Sequence, residues 1–246
     1  MADDSSNKRH RKVEDDLICP ISLELPVDPV MAADGRIYER LAIKKHFITS
    51  DRSPYTNETL KSKDLLDAPQ TRNTIETLIE SGVITGDLAA RWKGRTSYKK
   101  ELLRQAENGH AEAMGTLAKY FFTGKHDFAE DDGKAYEWSK KAHAAGSVLG
   151  TAYLGIYLTN GYGGVESNVN QGTTYLALAA GRGSNFAAYE LGCGFVHGNY
   201  GLEKDKTEAI RLLEQATSDT CQYAHLSYLC KESARKILDR LKEESS

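Results

Sequence analysis

A chain of 246 residues with 40% hydrophobic and 27% charged side chains has the composition of a folded protein rather than a disordered one, and its length admits one large domain or a small domain joined to an extended one. The net charge of −3 supplies no general basic field, which argues against nucleic acid and anionic membrane as partners. No run approaches the roughly 18 apolar residues of a membrane span, and four irregularly spaced cysteines, Cys19, Cys193, Cys221 and Cys230, do not make a disulfide framework.

The chain begins MADDSSNKRHRKVEDD, which has no apolar core and does not read as a secretory signal. A reducing compartment is expected, cytoplasmic or nuclear, with residues 1–15 a disordered tail. The basic run Lys8–Lys12 has the composition of a nuclear address, but acids flank it on both sides, which favours a solvated basic patch.

Residues 16–82 hold all five prolines and many turn signals. Asp34-Gly35, between VMAA and RIYE, marks a tight hairpin turn. Glu39 to Ile48 follows as a helix with Leu41, Ile43, Phe47 and Ile48 inward. Asp51 to Asn57 is a polar, proline-containing exposed loop. Thr71 to Gly82 reads as a second helix with Ile75, Leu78 and Ile79 inward and Gly82 at its end. The opening Cys19-Pro20 pair has the look of a zinc module, yet the next cysteine is Cys193 and His46 is the only histidine between positions 11 and 109. One cysteine and one histidine do not close a tetrahedral site. Residues 83–96 form a connector, with Asp87 capping a short helix and Trp92 on its apolar face.

Residues 97–243 contain no proline and repeat with a period of 37. Gly109, Gly146 and Gly183 are followed at constant offsets by small residues (Ala113, Gly150, Ala187), large ones (Leu117, Leu154, Leu191) and glycines (Gly124, Gly161, Gly198). The second half of each unit is also in step: Asp131, Asn168 and Asp205, then Ala135, Gly172 and Ala209, then Trp138, Tyr175 and Leu212. About eight such columns in register make a tandem array of helix pairs. The Asp131 column caps each second helix, and the Gly124 column ends each first helix in a left-handed conformation. Small residues let the two helices approach closely. With Asn168 in place of aspartate and Gly172 in place of alanine, the second helix of the middle unit is expected to be the weakest. The segment Ala106 to Ala142 resembles the Sel-one-like repeat (SLR) family, α-solenoids related to tetratricopeptide repeats. Units are expected near 109–145, 146–182 and 183–219, with a capping helix over 220–243. Solenoids of this kind carry partners and perform no chemistry. Lys119, Tyr120, Tyr153, Tyr157 and Glu190 fall outside the core columns and are the candidate partner-binding strip; aromatic residues at helical spacing are equally compatible with core.

Leu17 to Phe47 and Ser53 to Leu60 carry ordered markers: Cys19-Pro20-Ile21, Asp28-Pro29-Val30, Gly35, Tyr38-Glu39-Arg40 and Ser53-Pro54. These resemble the U-box, a metal-free domain of RING shape in which salt bridges and hydrogen bonds stand in for zinc. Ser22, Glu24, Asp34, Tyr38, Arg52 and Thr56 are candidate members of that network. The resemblance implies an α+β head followed by an all-α solenoid, and the activity of a ubiquitin ligase. Such a ligase needs no cofactor and no metal, and forms no covalent intermediate on its own chain. It recruits a ubiquitin-loaded conjugating enzyme while the repeats select an unknown protein substrate, and a homodimer is compatible with the family. The resemblance maps the conjugating-enzyme contacts to Ile21 and Pro54, with Leu23, His46 and Tyr55 beside them. Asn57 stands where many active members have an arginine that donates to both conjugating enzyme and ubiquitin. A non-enzymatic adaptor with a degenerate head is therefore the alternative. Cys19, between Ile18 and Pro20 and preceded by acids, lacks the electropositive setting of a nucleophile and is expected to be a packed thiol.

Overall fold

The computed structural model describes residues 15–218 and 228–243. The predicted tail and its basic run lie outside the described residues, except Asp15, as does the start of the predicted capping helix. The chain divides into two compact units, Met1–Glu101 with Gly124–Ala129, and Leu102–Thr123 with Glu130–Ser246.

In the first unit, β1 (Pro29–Met31) pairs antiparallel with β2 (Ile37–Glu39), Val30 opposite Tyr38. Between them Gly35 takes φ +76, its amide donating to the Ala32 carbonyl at 2.9 Å, as the Asp-Gly pair predicts. The sequence does not announce the two-residue β3 (Leu66–Asp67), which adds to the other edge of β1 to give the order β2-β1-β3. Helix α1 (Arg40–Thr49) buries Ile43, and Phe47 packs beside it against Cys19, Val30, Ala32 and Tyr38. Ile48, expected inward, is 82% exposed; Ile43 and Phe47, four apart, own the inward stripe, and Ile48 falls outside it. Helix α2 (Pro69–Glu80) starts with its proline at the first helical positions and buries Ile75 and Ile79. These join Leu25, Val27, Ile84, Ala89 and Trp92 in a second core.

The connector is not a separate piece. Helix α3 (Gly86–Glu107) runs unbroken for 22 residues, so the boundary expected at 96/97 falls inside a helix. Asp87 lies in its first turn, where a carboxylate suits the helix dipole.

The second unit is a stack of helices: α4 (Ala111–Thr123), α5 (Asp132–Ala144), α6 (Val148–Asn160), α7 (Val169–Gly181), α8 (Asn185–His197), α9 (Lys206–Thr217) and α10 (Tyr228–Glu243). Asp131, Asn168 and Asp205 cap α5, α7 and α9, each accepting from the amide three residues on. Gly161 and Gly198 end α6 and α8 in the left-handed region. The close approach expected of the small columns is present: a Cβ on Gly150 would lie 2.2 Å from the Ala142 Cβ. Gly172 has the same cause rather than being a weak point. A Cβ there would come within 2.6 Å of the Thr159 amide nitrogen and 2.8 Å of the Gly155 carbonyl. Ala234, Leu238 and Leu241 of α10 cover Ala209 and Leu213 of α9, the role expected of a cap.

The candidate partner strip is corrected by burial. Tyr120, Tyr153 and Tyr157 are inside the stack, Tyr157 completely. Helix α6 is buried from Val148 to Thr159, so its aromatic residues pack rather than face a partner. Tyr153 stacks on Phe186 at 5.0 Å, and the Tyr157 hydroxyl donates to Asp132 Oδ1 at 2.8 Å. Glu190 is partly buried, accepting from the Tyr200 hydroxyl at 3.1 Å, and burial pushes its carboxyl above the usual range. Lys119 is half-buried. No helix among the described residues is long and apolar enough to cross a membrane.

Candidate docking site

The first loop of the N-terminal unit closes on itself. The Cys19 amide donates to the Glu24 carbonyl at 2.9 Å, and the Leu23 amide to the Cys19 carbonyl at 2.9 Å. Cys19 is the buried foot of the loop. Leu23 takes φ +56, a conformation that costs a residue with a Cβ on the order of 1–3 kcal/mol, and its side chain is 69% exposed. Ile21 is also exposed. The strained backbone thus holds an apolar side chain in solvent, without packing to repay it.

The second loop is organised around a buried serine. The Ser53 hydroxyl donates to Asp34 Oδ2 at 2.5 Å and accepts the Tyr55 and Thr56 amides at 3.1 and 3.0 Å. Asp34 also accepts from the Tyr38 hydroxyl at 2.8 Å and the Arg36 amide at 3.0 Å. Burial alone would raise the Asp34 carboxyl, but these hydrogen bonds outweigh it and hold the group below its ordinary value. The Tyr38 phenol is pushed up to about 12, by burial foremost, with the bond to Asp34 and its charge adding. His46 does not stand free between the loops: its Nε2 donates to the Arg52 carbonyl at 2.8 Å, pinning the second loop to α1. Asn57 closes the loop at φ +62, its amide donating to the Ser53 carbonyl at 2.9 Å and its carbonyl accepting from Arg52 Nη1 at 2.9 Å. Asparagine tolerates that left-handed turn better than most residues, which accounts for its presence.

Between the loops lies an open groove of about 520 Å³ lined by Ile18, Pro20, Leu23, Pro54 and Tyr55 and by the charged Asp15, Asp16 and Arg36. The Arg36 guanidinium sits 3.7 Å from the Tyr55 ring centre, a cation–π contact that stiffens this wall. Of the residues singled out from the sequence, the groove brings together Leu23, Pro54 and Tyr55; Ile21, His46 and Asn57 do not line it.

Of the network expected to replace metal, Asp34, Tyr38, Arg52 and Glu24 take part, and Thr56 enters through its amide. Ser53, the hub, was not among the residues expected, nor were two further ion clusters. Arg40 bridges Asp28, through Nε at 2.8 Å, and Asp67 at 2.5 Å. Glu39, almost wholly buried, accepts the Val27 amide at 2.8 Å through Oε2, while its Oε1 is buried without a hydrogen-bond partner. Burial raises its carboxyl above the usual range despite the Val27 amide; the Asp127 charge adds to this and Arg95 opposes it. Among the described residues no group of three or more His, Cys, Asp or Glu could hold a metal ion.

The U-box domain family matches residues 13–83, over both loops and the three-stranded sheet, and the Sel1 repeat matches residues 111–147, 149–184 and 185–219. The chain carries a U-box followed by Sel1 repeats. Curated relatives include U-box domain-containing protein 19 of Arabidopsis thaliana, 35% identical over 113 residues, which are 45% of this chain and 15% of that one. The ERAD-associated E3 ubiquitin-protein ligase component HRD3B of the same plant is 30% identical over 105 residues, 43% of this chain and 16% of that one. The chain therefore spans about one-sixth of the length of these relatives. A solved Sel1 repeat protein from Oxalobacter formigenes is 24% identical, with a TM-score of 0.42, over 57% of this chain and 96% of that one. The U-box loops expose Ile21, Leu23 and Tyr55, and Cys19, the only cysteine of the U-box, is buried among Val30, Tyr38 and Ile43.

Proposed function

We propose that this chain is a ubiquitin ligase of the U-box type. The U-box loops hold a ubiquitin-loaded conjugating enzyme and the Sel1 repeats choose the protein whose lysine receives the ubiquitin. The observation that carries this reading is the groove between two hydrogen-bonded loops, with Leu23 and Tyr55 held in solvent. The thioester belongs to the conjugating enzyme, so the ligase contributes proximity and a restrained geometry, which in favourable cases lower a barrier by about 7–11 kcal/mol. Cys19 is not a candidate nucleophile, because it is fully buried and a nucleophilic cysteine needs access and an electropositive setting.

With activating and conjugating enzymes, ubiquitin and ATP, the chain should promote ubiquitin chain formation or its own modification. Ile21→Ala and Pro54→Ala should each abolish this while the fold survives. Full activity in either variant removes the assigned surface.

A second reading, a non-enzymatic adaptor, is favoured by Asn57 alone. Its side chain is shorter than arginine and uncharged, and its backbone closes the second loop. Lysine discharge from loaded conjugating enzymes separates the two readings: no stimulation by the wild-type chain across a broad panel favours the adaptor.

A further inference from the structure

Outside both groove-forming loops, one side chain of the first unit makes more polar contacts than any described in the loops themselves. Arg95 lies on α3, beyond the matched U-box segment. All five of its N–H groups are engaged: Nε on Asp127 Oδ2 at 2.9 Å, Nη1 on Glu24 Oε2 at 2.8 Å and on the Leu25 carbonyl at 3.3 Å, and Nη2 on Glu39 Oε2 at 3.1 Å and on Asp127 Oδ1. A guanidinium has five donors in a rigid fork, and no other side chain reproduces that set.

The contacts have a direction. Glu24 follows Leu23 and its carbonyl closes the first loop on Cys19; Leu25 starts the inward run. Arg95 therefore grips the first loop at the residue after its strained leucine and ties it to Glu39, which is fixed in turn by the Val27 amide. The Asp127 side is built for the purpose. His126 and Asp127 take successive left-handed conformations, φ 53 and 64, and Lys99 Nζ donates to the Asp127 carbonyl at 2.5 Å. A left-handed leucine persists only where its surroundings over-determine it; beyond the loop's own two amides, Arg95 supplies the short contact on Glu24, at 2.8 Å, with Arg91 Nε more distant at 3.7 Å from the other carboxylate oxygen.

We propose that Arg95 is a positioning residue of the first docking loop: its fork, delivered from outside the U-box segment, fixes the Glu24 end of that loop and thereby the presentation of Leu23 in the groove and of Ile21 beside it. This rests on the proposed ligase reading for its consequence, but the positioning itself is a property of the free chain. Lysine at 95 keeps the charge and loses the fork; glutamine at 24 keeps an acceptor and loses the charge.

The test reads the methyl resonances of Ile21 and Leu23 against those of the core residues Ile75 and Ile79 in the free wild-type chain, Arg95→Lys and Glu24→Gln. The loop methyls should shift in both variants while the core methyls stay. Titration with a conjugating enzyme should then show affinity weakened by about tenfold in Arg95→Lys, the effect of losing one or two charge-assisted hydrogen bonds. The maximal discharge rate at saturating enzyme should be unchanged. Where Arg95→Lys disturbs core and loop alike, Glu24→Gln decides, since it leaves Arg95 on Glu39 and Asp127. Loop methyls that stay in place in Glu24→Gln, or an unaltered affinity despite shifted methyls, overturn the proposal. A wild-type chain that binds no conjugating enzyme defeats the ligase reading instead, and the methyl comparison still decides the role of Arg95.

Discussion

Replacing Ser53 with alanine removes a hydroxyl that serves three bonds at once, to Asp34 and to the amides of Tyr55 and Thr56. A bond to a charged partner is worth about 1.5–3 kcal/mol and each neutral one about 1 kcal/mol. Tyr55 and Thr56 are exposed, so water takes up part of the loss, and Asp34 keeps Tyr38. A net cost of about 2–4 kcal/mol remains, concentrated in the second loop. A domain of this size rarely has more than about 3–5 kcal/mol in hand, yet neither core cluster contains Ser53. The expected outcome is local opening: hydrogen exchange of the Thr56 and Asn57 amides accelerated by about 30- to 1,000-fold, by the usual tenfold per 1.4 kcal/mol, with the Ile75 and Ile79 amides much less affected. Conjugating-enzyme affinity should fall in parallel. Unchanged protection at Thr56 would refute the hub role, and an equal loss at Ile75 would show that the loop has no independent stability.

Three further outcomes follow from the same geometry. Gly172→Ala should destabilise the repeats, because about 1 kcal/mol of helix propensity is set against 1–3 kcal/mol of overpacking on backbone atoms of α6; Gly94→Ala on α3, where a Cβ meets nothing within 4 Å, should stabilise by up to about 1 kcal/mol. Urea midpoints of the two variants settle the contrast, and a stabilising Gly172→Ala refutes the close-packing account. Because the Tyr38 phenol is raised to about 12 in the folded chain, above its unfolded value of roughly 10, its contribution is complete below pH ~10 and is lost as pH rises toward 12. Tyr38→Phe should flatten that part of the stability–pH curve, measured as the urea midpoint against wild type. Chelator treatment should leave the melting midpoint in place, and stoichiometric zinc on metal analysis would overturn the metal-free account.

The repeat array is legible in the sequence because each column is a local physical demand repeated at a fixed interval. The caps at Asp131, Asn168 and Asp205 and the left-handed glycines at 161 and 198 follow from the chain alone. The docking loops are legible as motifs, through Cys19-Pro20-Ile21 and Ser53-Pro54. Counting offsets from the glycines leaves Tyr153 and Tyr157 open between partner strip and core. Val148–Asn160 has no charged residue, and a helix apolar on every face is a buried helix. That signal was present in the residues. Gly172 misled for another reason: propensity sees one helix, whereas the constraint comes from Thr159 and Gly155 on its neighbour. The Arg95 fork left no trace at all. Its partners stand 32 to 71 positions away, and no period or motif links them.

Trp92 carries a practical consequence. Its indole N–H donates to the Pro26 carbonyl at 3.2 Å, and its ring lies in the same core as Val27 and Ile75. An expression fragment trimmed at residue 83, where the family boundary falls, would open a hole the size of an indole in the smaller module. The head is thus not a portable cassette: grafted elsewhere, it must travel with the helix that plugs it.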